Sequence, residues 1–144
     1  MTEAEIIEFV SALEDVDVLT ASEASGAPEV AWGDSFFSHP AQAMPFATIV
    51  IKDYPGFDEA SDVNREGVFR LNVGVGRERF TALLGRPPSA DFSDVDYTAL
   101  DTLLPHPAYA AQSFVSILNP GERTDALARE LLELAHLRAS GRSA

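Results

Sequence analysis

The stretch from Gly67 to Gly85, GVFRLNVGVGRERFTALLG, constrains the fold more than any other part of the chain. From residue 68 to residue 75 apolar and polar side chains alternate, which predicts a β-strand with one buried face. That face consists of Phe69, Leu71, Val73 and Val75. Two glycines then break the alternation, and from Arg77 the apolar spacing becomes helical until Gly85. The sequence therefore predicts a strand that runs through a glycine turn into a short helix.

Both ends of the chain predict amphipathic helices. Thr2 and Glu5 form a T-x-x-E capping box, and apolar residues recur on one helical face over residues 3–14. Near the other end, Pro120 and Gly121 precede a helical pattern that extends to about Arg138. Helices of this kind need an apolar surface to cover, which a sheet would supply.

The segments between the helices are mostly strand-like. Strands are predicted at residues 16–23, 29–37, 46–52 and 112–119, and the first two are expected to pair as a hairpin. A short helical turn is predicted around residues 97–104, and it must stop at Pro105. The polar segment 53–66 is long for a hairpin connection, and long ordered loops are often functional.

The order of these elements predicts an α+β fold. We expect a mainly antiparallel sheet with the N-terminal and C-terminal helices on one face, which leaves the other face open for polar groups. The chain has 144 residues, of which 46% are hydrophobic, so residues 1–144 are expected to form a single domain.

The charge of the chain limits its partners. Twenty-three acidic residues against 10 basic ones give a net charge of −13, which would repel nucleic acid and anionic membranes. The chain has no cysteine, no apolar run long enough to span a bilayer and no signal-peptide pattern near Met1. We therefore expect a cytoplasmic protein, a monomer or a homodimer, that binds neither nucleic acid nor membrane.

One polar face of the predicted sheet is the candidate site. If the strands align as expected, this face collects polar side chains from three of them, and the glycine turn adds one more basic group. The candidate residues are Trp32, Asp34, Lys52, Arg70, Asn72 and Arg77. Arg70 would offer a two-pronged donor to an anion, Asn72 would recognise an amide or hydroxyl, and Trp32 would form an apolar wall. The alternative is a set of cross-strand ion pairs, Asp34 with Arg70 or with Lys52.

Two other patterns are weaker. The G-V-G-R turn could cradle a phosphate at a helix N-terminus, but it lacks the third glycine of a dinucleotide site and the G-K-[ST] of a phosphate loop. Asp53, Asp58, Glu59 and Asp62 could surround a divalent cation, but they lack the residue order of a calcium loop. We therefore predict no metal and no cofactor.

Several segments resemble a bacterial domain-of-unknown-function family. They are WGDSFF at 32–37, PFATIVIKDYPGFDEASD at 45–62, GVFRLNVGVGRERF at 67–80, and the later PHPAY and SILNP. This resemblance implies no reaction, substrate or catalytic residue. The region from Tyr109 to the C-terminal helix is also similar to YjbR-like proteins, small α+β domains with an antiparallel sheet flanked by helices. Some proteins of that shape have been linked to DNA binding, which a charge of −13 opposes here.

Two hypotheses about function follow. The first is a non-enzymatic module that binds a small polar or anionic ligand, or a protein partner, through the six candidate residues. The alternative is an enzyme on such a ligand, with Asp34 or His106 as proton carrier and Arg70 as anion clamp. No catalytic residue is otherwise predicted.

Overall fold

The computed structural model describes residues 1–141 and contains one six-stranded antiparallel sheet. The strands are β1 (Asp17–Thr20), β2 (Ser35–Ser38), β3 (Ala47–Val50), β4 (Arg70–Gly74), β5 (Leu103–Pro105) and β6 (Phe114–Leu118). Their order across the sheet is β1-β2-β3-β4-β6-β5, and every neighbouring pair is antiparallel. The predicted α+β fold with an antiparallel sheet is confirmed. Strands β1, β3, β4 and β6 lie inside their predicted ranges and are shorter.

Three α-helices accompany the sheet: α1 (Glu3–Ser11), α2 (Arg77–Leu84) and α3 (Asp125–Ala139). The capping box of α1 is present, because the Thr2 hydroxyl accepts from the Glu5 backbone N–H and the Glu5 carboxylate accepts from the Thr2 N–H. Helix α2 ends at Gly85, whose φ of 75° is the left-handed conformation expected there. Within residues 1–141 no helix has both the length and the apolar character needed to cross a bilayer.

The core lies between the helices and one face of the sheet. Phe37, Ile49, Leu71 and Ile117 point to that side, and Ile6, Phe80 and Leu131 from the three helices belong to the same buried cluster. Phe69, Leu71, Val73 and Val75 are all buried, which confirms the apolar face predicted for the strand. Burial of these side chains removes the most apolar area from water and so fixes which way the strands face.

The predicted strand 29–37 is wrong in its first half. Residues Glu29–Ala31 form a 3-10 turn, and β2 begins only at Ser35. The reason lies at Gly33, which has φ +91°, and a Cβ at this position would lie 2.3 Å from Ile51 Cδ1. A backbone with this φ cannot continue an ordinary strand, so the chain turns before it enters the sheet.

The predicted helical turn at 97–104 is also wrong. Leu103–Pro105 forms β5 at the edge of the sheet, with Leu103 opposite Ile117 and Pro105 opposite Val115. Proline is tolerated there because an edge strand has one side without a partner, so its missing N–H need not cost a ladder hydrogen bond.

The second face of the sheet is not open, as the sequence led us to expect. The segment 51–66 folds over it, and Asp58 and Ser61 of this segment accept from Arg70 of β4. Within the segment, the Asp53 carboxylate accepts from the Val63 N–H at 2.7 Å. The Asp53 N–H in turn donates to Asn64 Oδ1 at 3.0 Å. Arg70 and Asn72 are each only 1% exposed under this cover. The long polar segment therefore buries part of the polar face of the sheet.

Candidate functional site

A pocket of about 480 Å³ lies on the sheet face opposite the helices, and we call it the sheet-face pocket. Phe36, Thr48, Val50 and Asn72 contribute to it from β2, β3 and β4, and Phe114 from β6. The covering segment adds Tyr54, Phe57 and Asp58, and the turn after β5 adds His106 and Tyr109. The remaining lining residues are Met44, Pro45 and Gln112. Most of this lining is apolar, with a few polar groups among the rings.

The floor of the pocket is one row of the sheet. Phe36 lies opposite Thr48, Thr48 opposite Asn72, and Asn72 opposite Ser116. Asn72 Nδ2 donates to Thr48 Oγ1 at 3.0 Å, and Ser116 Oγ donates to Asn72 Oδ1 at 2.8 Å. The Asn72 amide is therefore held in a fixed orientation.

Arg70 lies two residues before Asn72 on the same face of β4, and four of its five N–H groups donate to neighbouring side chains. Its Nη1 donates to Asp58 Oδ1 at 2.9 Å and its Nη2 to Asp58 Oδ2 at 2.5 Å. Nη1 also donates to Ser61 Oγ at 3.0 Å, and Nε donates to Asn72 Oδ1 at 2.8 Å. The ion pair predicted between Asp34 and Arg70 is wrong, because Asp58 supplies the counter-ion. The guanidinium is thus neutralised inside the protein.

His106 closes the same end of the pocket and is 3% exposed. Its Nδ1 accepts the backbone N–H groups of Ala108 and Tyr109, both at 2.9 Å, and its Nε2 lies 3.5 Å from Arg70 Nη2. Burial lowers the pKa of His106 to about 3, with the Arg70 charge adding to the effect and the Asp58 charge opposing it. The imidazole is therefore neutral at neutral pH.

Asp34, Lys52 and Trp32 form a second group beside the pocket. Asp34 is fully buried, and its Oδ1 accepts from the Ile51 N–H at 2.9 Å and lies 3.4 Å from Lys52 Nζ. Lys52 also donates to the Trp32 carbonyl, and the Trp32 indole donates to the Ala27 carbonyl at 2.9 Å. The ion pair of Asp34 with Lys52, one of the two predicted, is present.

Tyr54 joins this second group to the pocket, because its hydroxyl donates to Asp34 Oδ2 while the residue lines the pocket. Burial raises the pKa of Tyr54, and the hydrogen bond to Asp34 raises it further. The phenol is therefore a fixed, protonated wall of the pocket rather than a titrating group.

Arg77 lies apart from the other candidates. It is the exposed first residue of α2 and lines a different cavity, of about 390 Å³, with Arg79 and Arg138. Of the six candidates, only Asn72 lines the pocket, and Arg70 contacts the lining residues Asn72, Asp58 and His106 from outside it. Asp34, Lys52 and Trp32 lie behind Tyr54, and Arg77 is separate from all of them.

Sequence reasoning did not select Tyr54, Asp58 or Tyr109 as ligand-binding residues. From the sequence, Asp58 is a candidate only for a cation site, together with Asp53, Glu59 and Asp62. Within residues 1–141 no three acidic or histidine side chains are arranged to hold a metal ion. One feature of the sequence pointed to such a residue. Arg70 lies on a strand that also contributes to the core, and a buried charge there requires a buried partner of opposite charge.

Comparison with known proteins places the chain in a family. No curated protein and no protein of solved structure matches it. The similarity to YjbR-like proteins stays a prediction. The model of a family of unknown function, DUF6194, matches residues 1–144, the full sequence. As predicted from its segments, the chain belongs to a domain-of-unknown-function family, and that family is DUF6194.

Proposed function

We propose that the protein is a cytoplasmic, non-enzymatic module that binds a small, uncharged and largely apolar molecule in the sheet-face pocket. The observation that carries this proposal is the pocket itself, about 480 Å³ of space walled by aromatic rings above a floor of hydrogen-bonded polar groups. Small-molecule sites typically have volumes of about 300 to 1,000 Å³ and this mixture of apolar walls and few polar groups. The concave shape favours a small molecule over a protein partner.

Two exposed rings at the pocket support an apolar ligand. Phe57 is 58% exposed and Tyr109 is 43% exposed, and their ring centroids are 5.6 Å apart in an edge-to-face arrangement. Large apolar side chains left in water beside a cavity favour binding, because a ligand that covers them removes apolar area from water.

The charges around the pocket favour an uncharged ligand. Arg70 is paired with Asp58 and Asp34 with Lys52, so neither cation is available to clamp an anion. A buried anionic ligand would lose its hydration and gain no new counter-charge. This is why the proposal departs from the anionic ligand that the sequence suggested.

The engagement of the two predicted proton carriers favours a binding module over an enzyme. The Asp34 carboxylate accepts from the Ile51 N–H and the Tyr54 hydroxyl, and it lies behind the pocket rather than in it. His106 has a pKa of about 3, far from the range near 7 in which a general base is most effective. The charge of −13 supports a partner that is neither nucleic acid nor membrane, and we propose a monomer or homodimer.

A thermal-shift screen with uncharged apolar fragments and matched anionic fragments tests the proposal. A ligand that binds only the native state raises the free energy of unfolding, by about 2.7 kcal/mol at 100 times its Kd. We expect hits among the uncharged fragments. Val50→Phe fills the pocket and should abolish their shifts, whereas Val30→Phe makes the same change at an exposed position outside the pocket and should preserve them.

Two results would contradict the proposal. Hits confined to the anionic fragments would exclude an uncharged ligand. Shifts of equal size in wild type and Val50→Phe would place the binding outside the sheet-face pocket.

A further inference from the structure

Beside the sheet-face pocket, an Arg70 nitrogen and a His106 nitrogen face each other, and both are hydrogen-bond donors. His106 Nδ1 accepts two backbone N–H groups, so it carries a lone pair and no proton. A neutral imidazole has a single N–H, which must then be on Nε2. Nε2 therefore cannot accept a hydrogen bond from Arg70 Nη2, although the two nitrogens are 3.5 Å apart.

Counting the acceptors of the five Arg70 N–H groups also leaves one donor beside His106 Nε2. One on Nε bonds Asn72, two on Nη1 bond Asp58 and Ser61, and one on Nη2 bonds Asp58. The second N–H of Nη2 faces His106 Nε2. Among residues 1–141, neither this N–H nor the His106 Nε2–H has an acceptor.

Both donors are buried, since Arg70 is 1% exposed and His106 is 3% exposed. Buried donors are almost always hydrogen-bonded, and leaving one without an acceptor is costly. Asp58, Asn72 and His106, three of the four residues around the Arg70 guanidinium, line the pocket. An acceptor atom brought by a ligand can therefore approach both nitrogens from the pocket side.

We propose that these two N–H groups bind the carbonyl oxygen of the ligand, so that the pocket takes uncharged ketones, esters or amides with an apolar body. This inference rests on the proposed function of the pocket. A carbonyl oxygen has two lone pairs and can accept both N–H groups at once. A carboxylate fits less well, because Asp58 already neutralises Arg70 and an added negative charge would be buried without a counter-ion.

The test compares two molecules of nearly the same shape, acetophenone and α-methylstyrene, in which a C=CH₂ group replaces C=O. Their dissociation constants are measured for wild type, His106→Asn and His39→Asn by ligand-observed NMR. Asparagine at 106 can keep an acceptor near the position of Nδ1 for the Ala108 and Tyr109 N–H groups, but it removes the Nε2–H. His39 is the matched control, because its Nδ1 accepts the Ala41 N–H at 3.0 Å and it lies outside the pocket.

We expect wild type and His39→Asn to bind acetophenone about tenfold more tightly than α-methylstyrene, as one or two added hydrogen bonds imply. In His106→Asn the Arg70 N–H remains, so that preference should shrink to about threefold, which is half of the difference in binding free energy. Equal affinities of wild type for the two molecules would overturn this proposal and leave the proposed function standing, with a bound water as the acceptor. A preference that survives unchanged in His106→Asn, or benzoate bound more tightly than acetophenone, would also overturn it.

Two further outcomes are decisive. Failure of both molecules to bind wild type would contradict the proposed function itself and this inference with it. Long-range ¹H–¹⁵N NMR of the histidine side chains reports the tautomer without any ligand. We expect the proton of His106 on Nε2, and a proton on Nδ1 would overturn the proposal whatever the binding data.

Discussion

Asp58 holds both terminal nitrogens of Arg70 from a loop that folds across the sheet, with Nη1 to Oδ1 at 2.9 Å and Nη2 to Oδ2 at 2.5 Å. Arg70 stands in the middle of the sheet, opposite Val50 on one side and Leu118 on the other. A charge at such a position is tolerated only with a partner that matches both its charge and its geometry. The pair therefore ties the covering segment to the sheet.

Arg70→Met should destabilise the protein by about 3 to 5 kcal/mol, because it leaves the Asp58 carboxylate buried without its counter-ion. Urea denaturation measures the change. The double variant Arg70→Met/Asp58→Leu, which removes both charges, should recover most of the loss. Arg79→Met, at the partly exposed pair with Glu130, should change stability by about 1 kcal/mol or less. An unchanged urea midpoint for Arg70→Met would show that the pair is solvated.

The neutral state of His106 predicts a loss of stability in mild acid. Its pKa is about 3 in the folded protein against 6.5 in an unfolded chain, so between these values the unfolded state binds the additional proton. The contribution is fully present above pH 6.5 and decreases as the pH falls toward 3, by up to about 1.4 kcal/mol per pH unit. The measurement is the free energy of unfolding of wild type and His106→Asn from pH 8 to pH 4. Wild type should lose more stability than the variant below pH 6.5, and parallel curves would contradict a buried neutral imidazole.

Leu71→Ala should cost about 2 to 5 kcal/mol, since Leu71 is fully buried on the helix side of β4. Leu100→Ala makes the same truncation at a side chain that is 44% exposed and should cost much less. Urea midpoints compare the two. Equal losses would mean that the β4 side chains face the opposite way.

Asp101 joins the segment before β5 to the start of α3 by hydrogen bonds. Its carboxylate accepts from the Thr124 hydroxyl and from the backbone N–H groups of Arg123, Gly121 and Thr124, and these bonds lower its pKa to about 2. Asp101→Asn should lower the Tm at pH 7, with the deficit shrinking as the pH falls from 3.8 to about 2 and the wild-type carboxylate is protonated. Asp17→Asn, at an exposed position in β1, is the control and should leave the Tm unchanged. A deficit that stays constant with pH would show that charge is not what Asp101 contributes.

The parts of the fold that follow from local pattern were predicted. The alternation around β4 requires one face to be buried, and Leu71 and Val73 are on it. The capping box fixed the start of α1 because its two hydrogen bonds join residues only three positions apart. Signals of this kind depend on neighbours in the chain, so a single sequence contains them.

The parts that depend on distant contacts were not predicted. No local feature distinguishes Asp58 from the other acidic residues of its segment. It precedes Arg70 by 12 residues, and the two side chains meet only because the loop folds over the sheet. Strand β5 is three residues long and ends in proline, so its identity comes from pairing with β6 and not from its own pattern. The sequence therefore indicated the polar residues of β4 but not the residues of the covering segment that contact them.

Strand β6 lies between β4 and the edge strand β5 and is the last strand in the chain, so the pocket can form only late in synthesis. Asn72 and Ser116, hydrogen-bonded neighbours in its floor, are 44 positions apart, so a long loop must close before that row of the sheet exists. His106 and Phe114, which wall the same cavity, also belong to this later part of the chain. A chain still growing on the ribosome can thus begin to pair β1 to β4 but has no complete binding cavity until residue 118 has emerged. A ligand of this pocket would stabilise the finished protein and could not guide the earlier steps of its folding.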